Sequence, residues 1–136
     1  YKGNKSMIFG IGTDVLQVSR IASSLKRQPK LPDRILGPQE LAIYENRSSR
    51  NTVRGLNFLA MRLAAKEAFS KACGLGMHTP MSWKAIQIIN KASGQPEIIA
   101  NNLMAQWLAE RQLNTHISIS DEIDYVVAFV ILEQKT

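Results

Sequence analysis

The feature that most constrains this chain is one long helical segment from about Thr52 to Cys73, followed by Gly74. Apolar and small residues recur along it at helical spacing, and glycine is the usual residue of a left-handed helix C-cap. At about 100° per residue, Glu67 points close to the direction shared by Leu56, Ala60 and Leu63, which puts a carboxylate on a packing face. Such a charge is costly unless it meets a cation. Lys71 follows at i+4, an orientation that favours an ion pair with Glu67, and a plain structural pair is one reading of the two. Arg62 and Lys66 are also four apart, on a side away from the Glu67 stripe, where they face either phosphates or simply solvent.

Around this helix the turn residues divide the chain. Met7 to Thr13 reads as a strand ending at Asp14, and Val15 to about Lys26 carries Val15, Val18, Ile21, Ala22 and Leu25 at helical spacing. Pro29 and Pro32 are expected to stop that helix, and Pro38 to open a short one over Glu40 to Tyr44. Trp83 to Ile89 and Glu97 to Ile99 read as strands joined by a turn through Gly94. A helix capped by Asn101 or Asn102 comes next, and then two strands, His116 to Ser120 and Tyr125 to Leu132. The order implies an α+β domain with antiparallel pairings.

The 136 residues suit one domain, and 45% hydrophobic with 21% charged residues excludes a disordered or fibrous chain. Residues 1–6 precede Met7 and read as a tag remnant or N-terminal extension, leaving 7–136 as a single domain. No apolar run approaches the ~20 residues of a membrane span, so a soluble, cytoplasmic protein is expected. The single cysteine, Cys73, and the two histidines, His78 and His116, make neither a disulfide nor a usual zinc set. Cys73 lies at a helix C-terminus, where the dipole disfavours a thiolate, and no phosphate-binding glycine loop opens a helix. The net charge of +6, two units of it from Lys2 and Lys5, points to an acidic partner. A small nucleic-acid-binding module is the rival reading, and it rests on charge alone.

Asp14 and Glu67, from distant segments, offer hard oxygen ligands of the kind Mg²⁺ prefers, although Asp14 also suits a turn or cap. His116, Ser118 and Ser120 alternate along one strand and project from one face, either toward an oxyanion or as a half-exposed sheet surface.

Several segments together carry a resemblance. Gly10-Ile-Gly-Thr-Asp14, then Arg20-Ile21, Arg34-Ile-Leu36 and the stretch from Phe58 to Gly76 with its Ala-Ala-Lys-Glu-Ala core are similar to the bacterial holo-acyl-carrier-protein synthase family. Gly94-Gln-Pro96 and the run from His116 to Tyr125 extend the likeness to about Glu133. The resemblance implies the 4′-phosphopantetheinyl transferase fold, a small antiparallel sheet packed with a long central helix, assembled as a homotrimer with active sites between protomers. It implies transfer of 4′-phosphopantetheine from coenzyme A to a serine of apo-acyl carrier protein, releasing adenosine 3′,5′-bisphosphate, in fatty acid biosynthesis.

On this likeness Asp14 and Glu67 match the Mg²⁺ ligands and Lys71 the lysine beside the diphosphate, the three forming the catalytic group. Arg62, Gly74, Gly76, Pro96, His116 and Ser118 match the coenzyme A side, with Lys66 nearby by spacing. Arg20, Arg27, Lys30 and Arg34 match the basic positions that receive the acidic carrier protein. The serine's proton acceptor is left open among Glu67, Asp14 and a metal-bound water. Members often have Lys-Arg-Phe at Met61-Arg62-Leu63, Gly-Lys-Pro at Gly94-Gln95-Pro96 and His at Asp121. Relatives that serve peptide-synthetase carrier domains usually contain two fused copies of the fold, for which this chain is too short.

Overall fold

A computed structural model describes residues 5–135. In chain order the elements are β1 (Ser6–Gln17), α1 (Val18–Arg27), α2 (Leu31–Ile35), α3 (Pro38–Arg50), α4 (Thr52–Cys73), β2 (Ile86–Asn90), β3 (Pro96–Ala100), α5 (Asn102–Glu110), β4 (Leu113–Asp121) and β5 (Tyr125–Lys135). Of the segment 1–6 read as an extension, positions 1–4 lie outside the described residues, and Ser6 already belongs to β1.

The helix α4 spans 22 residues. The Asn51 side chain caps its start by accepting from Val53 N and Arg54 N, and Gly74 closes it at φ 74° with its N–H on Lys71 O. Its buried positions, from Phe58 and Leu59 through Ala64, Ala65, Ala68 and Phe69, fall on all sides of the helix. It is therefore enclosed, with the sheet on one side and α3 and β2 on others.

The sheet is antiparallel in the order β1-β5-β4, and β2 and β3 form a separate antiparallel pair. Val126, Ala128, Val130 and Leu132 of β5 turn inward at 0% exposure and enter the core shared with α4. Glycine lets β1 lie against the helix: a Cβ at Gly10 would stand 2.0 Å from Ala72 O, and one at Gly12 would stand 1.9 Å from Ala68 O. The two glycines thus serve close backbone packing.

Five expectations require correction. Asp14 does not end its strand, since β1 continues to Gln17 and Asp14 pairs with Ala128 in mid-ladder. Residues 15–17 share the helical spacing of α1, yet they also continue the strand alternation, and pairing with β5 prevails. Pro32 does not terminate anything; it occupies the first turn of α2, where its missing N–H costs nothing. The helix opened by Pro38 runs to Arg50 rather than Tyr44, and Trp83 precedes β2 instead of belonging to it.

Candidate active site

The close packing of β1 on α4 brings Asp14 to the face of the helix that carries Glu67 and Lys71. Lys71 Nζ lies 3.4 Å from Asp14 Oδ1 and donates to Thr13 O at 2.9 Å. The expected i+4 pair with Glu67 is not what Lys71 makes; its ammonium crosses to β1. Asp14 Oδ2 is buried and has no hydrogen-bond partner. An orphaned carboxylate oxygen in a closed environment is an expensive arrangement unless a cation completes it.

Glu67 is half-buried at the edge of the stripe formed by Leu56, Ala60 and Leu63, as the helical wheel implies. Burial pushes its carboxyl up from the ordinary glutamate value, the charge of Asp14 pushes it further, and Lys71 opposes both. Two carboxylates, one raising the proton affinity of the other and carrying an oxygen without a partner, have the donor chemistry that a hard divalent cation takes. The donor set therefore fits Mg²⁺.

The structure redistributes the basic residues of α4. Arg62 is 3% exposed, with its guanidinium 4.3 Å above the Phe58 ring, and its Nε has no partner. Burial lowers its pKa to about 10, with the nearby Arg47 charge adding to the effect against Glu40. Lys66 is completely buried in an ion pair with Glu40 and also donates to Ile35 O and Trp83 O. Neither residue is solvated, and Lys66, whose three protons are all spent inside the protein, does not face a cofactor. An enclosed helix leaves these positions no wet side.

Arg62, Arg47, Asn90, Gly94 and Pro96 line one cavity of about 140 Å³. Arg47 is a residue that sequence reasoning missed: it lies in the last turn of α3, and only folding brings its guanidinium 4.9 Å from the Phe58 ring. Pro96 also borders a second cleft of about 440 Å³, together with Lys91, Asn114 and His116. His116 Nε2 lies 3.1 Å from Glu133 Oε1, and this contact holds the Glu133 carboxyl below its usual range. Ser118 sits opposite Phe129 on the outward sheet face. Asp14, Glu67 and Lys71 line neither of these cavities.

Gly74 and Gly76 have φ of 74° and 61°, and the N–H groups of Leu75 and Gly76 return to Ser70 O, so this loop begins directly beyond Lys71. Arg20, Arg27, Lys30 and Arg34, in and after α1, are all exposed. Beside them an apolar groove of about 400 Å³ runs between α1 and α4, lined by Ala22, Leu25, Lys26, Thr52, Val53 and Leu56. Cys73 is buried with its pKa pushed up to about 12 by that burial, which removes it as a nucleophile.

Residues 10–130 match the family model of the 4′-phosphopantetheinyl transferase superfamily. The chain belongs to this superfamily. It is 52% identical to a holo-(acyl-carrier-protein) synthase of Paraburkholderia phytofirmans over 93% of this chain and 91% of that one. Among solved structures, that of a holo-(acyl-carrier-protein) synthase from Neisseria meningitidis superimposes with a TM-score of 0.85 at 38% identity, covering 93% of this chain and 98% of that one. A Bacillus anthracis synthase, described as a complex with coenzyme A (3′,5′-ADP), gives 0.79 at 34% identity over 94% and 98% of the two chains. The fold of this phosphopantetheinyl transferase is thus that of the synthases.

Proposed function

We propose that this chain transfers the 4′-phosphopantetheine arm of coenzyme A to a serine of apo-acyl carrier protein, giving holo-acyl carrier protein and adenosine 3′,5′-bisphosphate for fatty acid biosynthesis. The observation that carries the reading at the level of the site is the buried, unpartnered Asp14 Oδ2 beside Glu67, within a chain half identical to a holo-(acyl-carrier-protein) synthase.

Asp14 and Glu67 would hold Mg²⁺. The cation supplies charge neutralisation at the coenzyme A diphosphate, which otherwise repels a nucleophile. Lys71 stands at the same point with a half-exposed ammonium and is suited to the negative charge of the departing phosphate. Arg62 and Arg47, stacked on one phenylalanine ring, present positive charge in a cavity bordered by Gly94 and Pro96, which supports binding of the phosphorylated nucleotide end. The Gly74 to Gly76 loop, free of side chains at two positions, offers room for the ligand backbone.

Arg20, Arg27, Lys30 and Arg34 flank the apolar groove of α1 and α4, a combination suited to an acidic amphipathic helix of the carrier. The outward face of the sheet supports a homotrimer. Ile11, Val15, Tyr125, Val127 and Phe129 are all at least 37% exposed, with Val15 paired to Val127 and Ile11 to Ile131. His116 and Ser118 sit on the strand at its margin, apart from the carboxylates of their own chain, so a neighbouring protomer would bring them to the coenzyme A site. No helix among the described residues is long and apolar enough to cross a membrane, and a cytoplasmic location is part of the same proposal.

The test is incubation with coenzyme A, Mg²⁺ and an apo-acyl carrier protein, read by intact mass. A phosphopantetheinyl adduct on the carrier is expected; an unmodified carrier with folded enzyme would sink the reading.

A further inference from the structure

Away from the carboxylates, one buried polar cluster joins four elements, α2, α3, α4 and β2. Lys66 Nζ lies 2.6 Å from Glu40 Oε1, with both side chains at 0% exposure. The ammonium also donates to Ile35 O at 2.7 Å and Trp83 O at 2.8 Å, so each of its three protons has an acceptor. Glu40 accepts from Gly37 N through Oε1 and from Ile88 N through Oε2, both at 2.9 Å. Gln87 Oε1 then receives Gln39 N and Glu40 N at 2.9 and 3.2 Å. The α2–α3 junction, residues 35–40, is thereby tied to α4 and to β2.

Stability alone does not account for such a pair, because apolar residues of similar volume often serve as well once both charges are replaced. Its placement is informative. Ile35 is the last residue of α2, directly after Arg34, and Lys66 directly precedes Glu67. One ammonium therefore grips the end of the segment read as carrier-docking and the helical position next to the metal-holding carboxylate.

The geometry points to Glu40 and Lys66 as positioning residues that set the distance between the basic segment Lys30 to Arg34 and Glu67, and so between the docked carrier serine and the diphosphate. This rests on the docking surface of α1 and α2 under the proposed function. Neither residue reaches substrate, and the pair acts through Ile35 and Gly37 on one side and through the register of α4 on the other. Displacing a reacting group by about 1 Å is enough to cost on the order of 10²-fold in rate.

The experiment is steady-state kinetics on wild type, Arg34→Ala, Lys66→Met and the charge-free double variant Glu40→Gln/Lys66→Met, varying the apo-carrier and coenzyme A in turn, with thermal melts to establish folding. For the folded double variant, kcat is expected to fall roughly 10- to 100-fold, with KM for coenzyme A within about twofold of wild type. Retained kcat, or a loss that appears as a raised KM for coenzyme A, overturns the positioning role. If the double variant does not fold, Lys66→Met is judged by the same split, and failure of both to fold assigns the pair to stability and likewise overturns it. Arg34→Ala separates the two levels. An unchanged KM for the carrier there removes the docking reading itself, whereas a raised KM beside an unaffected double variant removes only the positioning inference.

Discussion

Lys71 on α4 reaches Asp14 on β1 at 3.4 Å, touching one oxygen of a carboxylate whose other oxygen is buried without a partner. The contact divides Asp14 into an oxygen neutralised by protein and an oxygen that the proposed cation would satisfy. Lys71→Met should leave the fold intact, because the ammonium is half-exposed. In the role proposed for Lys71 beside the departing phosphate, its loss should lower kcat by on the order of 10²–10³-fold. A matching rise in KM for coenzyme A with kcat preserved would make Lys71 a binding residue only.

Glu67 gives a pH prediction whose sign is fixed. Its carboxyl is raised in the folded chain by burial and by Asp14, so the metal-free fold binds the proton more tightly than the unfolded chain. Below the ordinary glutamate value both states are protonated and the site costs nothing; as pH rises through the raised value, stability is lost. Metal-free Glu67→Gln should therefore melt higher than wild type at neutral pH, with the gap closing in acid below the ordinary value. Melting curves from acid to neutral pH measure this, and a gap that widens toward acid would contradict it.

Arg20→Ala should weaken use of the carrier protein and spare coenzyme A. An exposed charge at an interface rim governs encounter, so the loss should be several-fold at low salt and should shrink as salt rises within the range where the Debye length falls from about 30 to 8 Å. Initial rates at varied carrier concentration and ionic strength test it; a defect in KM for coenzyme A alone would contradict the placement.

The sheet face gives an assembly prediction. Val127 lies in the ladder opposite Val15 and Ser120, in the middle of the exposed apolar rows. On the proposed trimer, Val127→Lys should leave the monomer folded, shift the protein from trimer to monomer in sedimentation velocity, and abolish transfer because His116 would no longer reach a neighbour's site. A folded monomer with wild-type activity would show that one chain is sufficient.

How far the sequence reveals the molecule depends on whether the governing interaction is local. The extent of α4 and its end at Gly74 are readable because helical spacing and a left-handed glycine are properties of neighbouring residues. The capping asparagine of α5 is readable for the same reason: Asn101 accepts from Met104 N. The burial of Lys66 is not, since its partner Glu40 lies 26 residues away and a lone lysine on a helix ordinarily signals solvent. The cluster of Arg47 with Arg62 is hidden likewise, because their common element is a ring contact formed only by packing. Asp14 is identifiable as an acid close to the core, but its place in mid-strand depends on pairing with β5. Its partnership with Lys71 depends on the approach permitted by Gly10 and Gly12.

The most direct measurement is calorimetric titration of Mn²⁺, standing in for Mg²⁺, into the protein with coenzyme A present, for wild type, Asp14→Asn and Glu67→Gln. One site per chain is expected in wild type, with affinity lost at least tenfold in each variant while circular dichroism shows the fold retained. Variants that bind the ion as tightly as wild type would contradict the claim that these two carboxylates hold it.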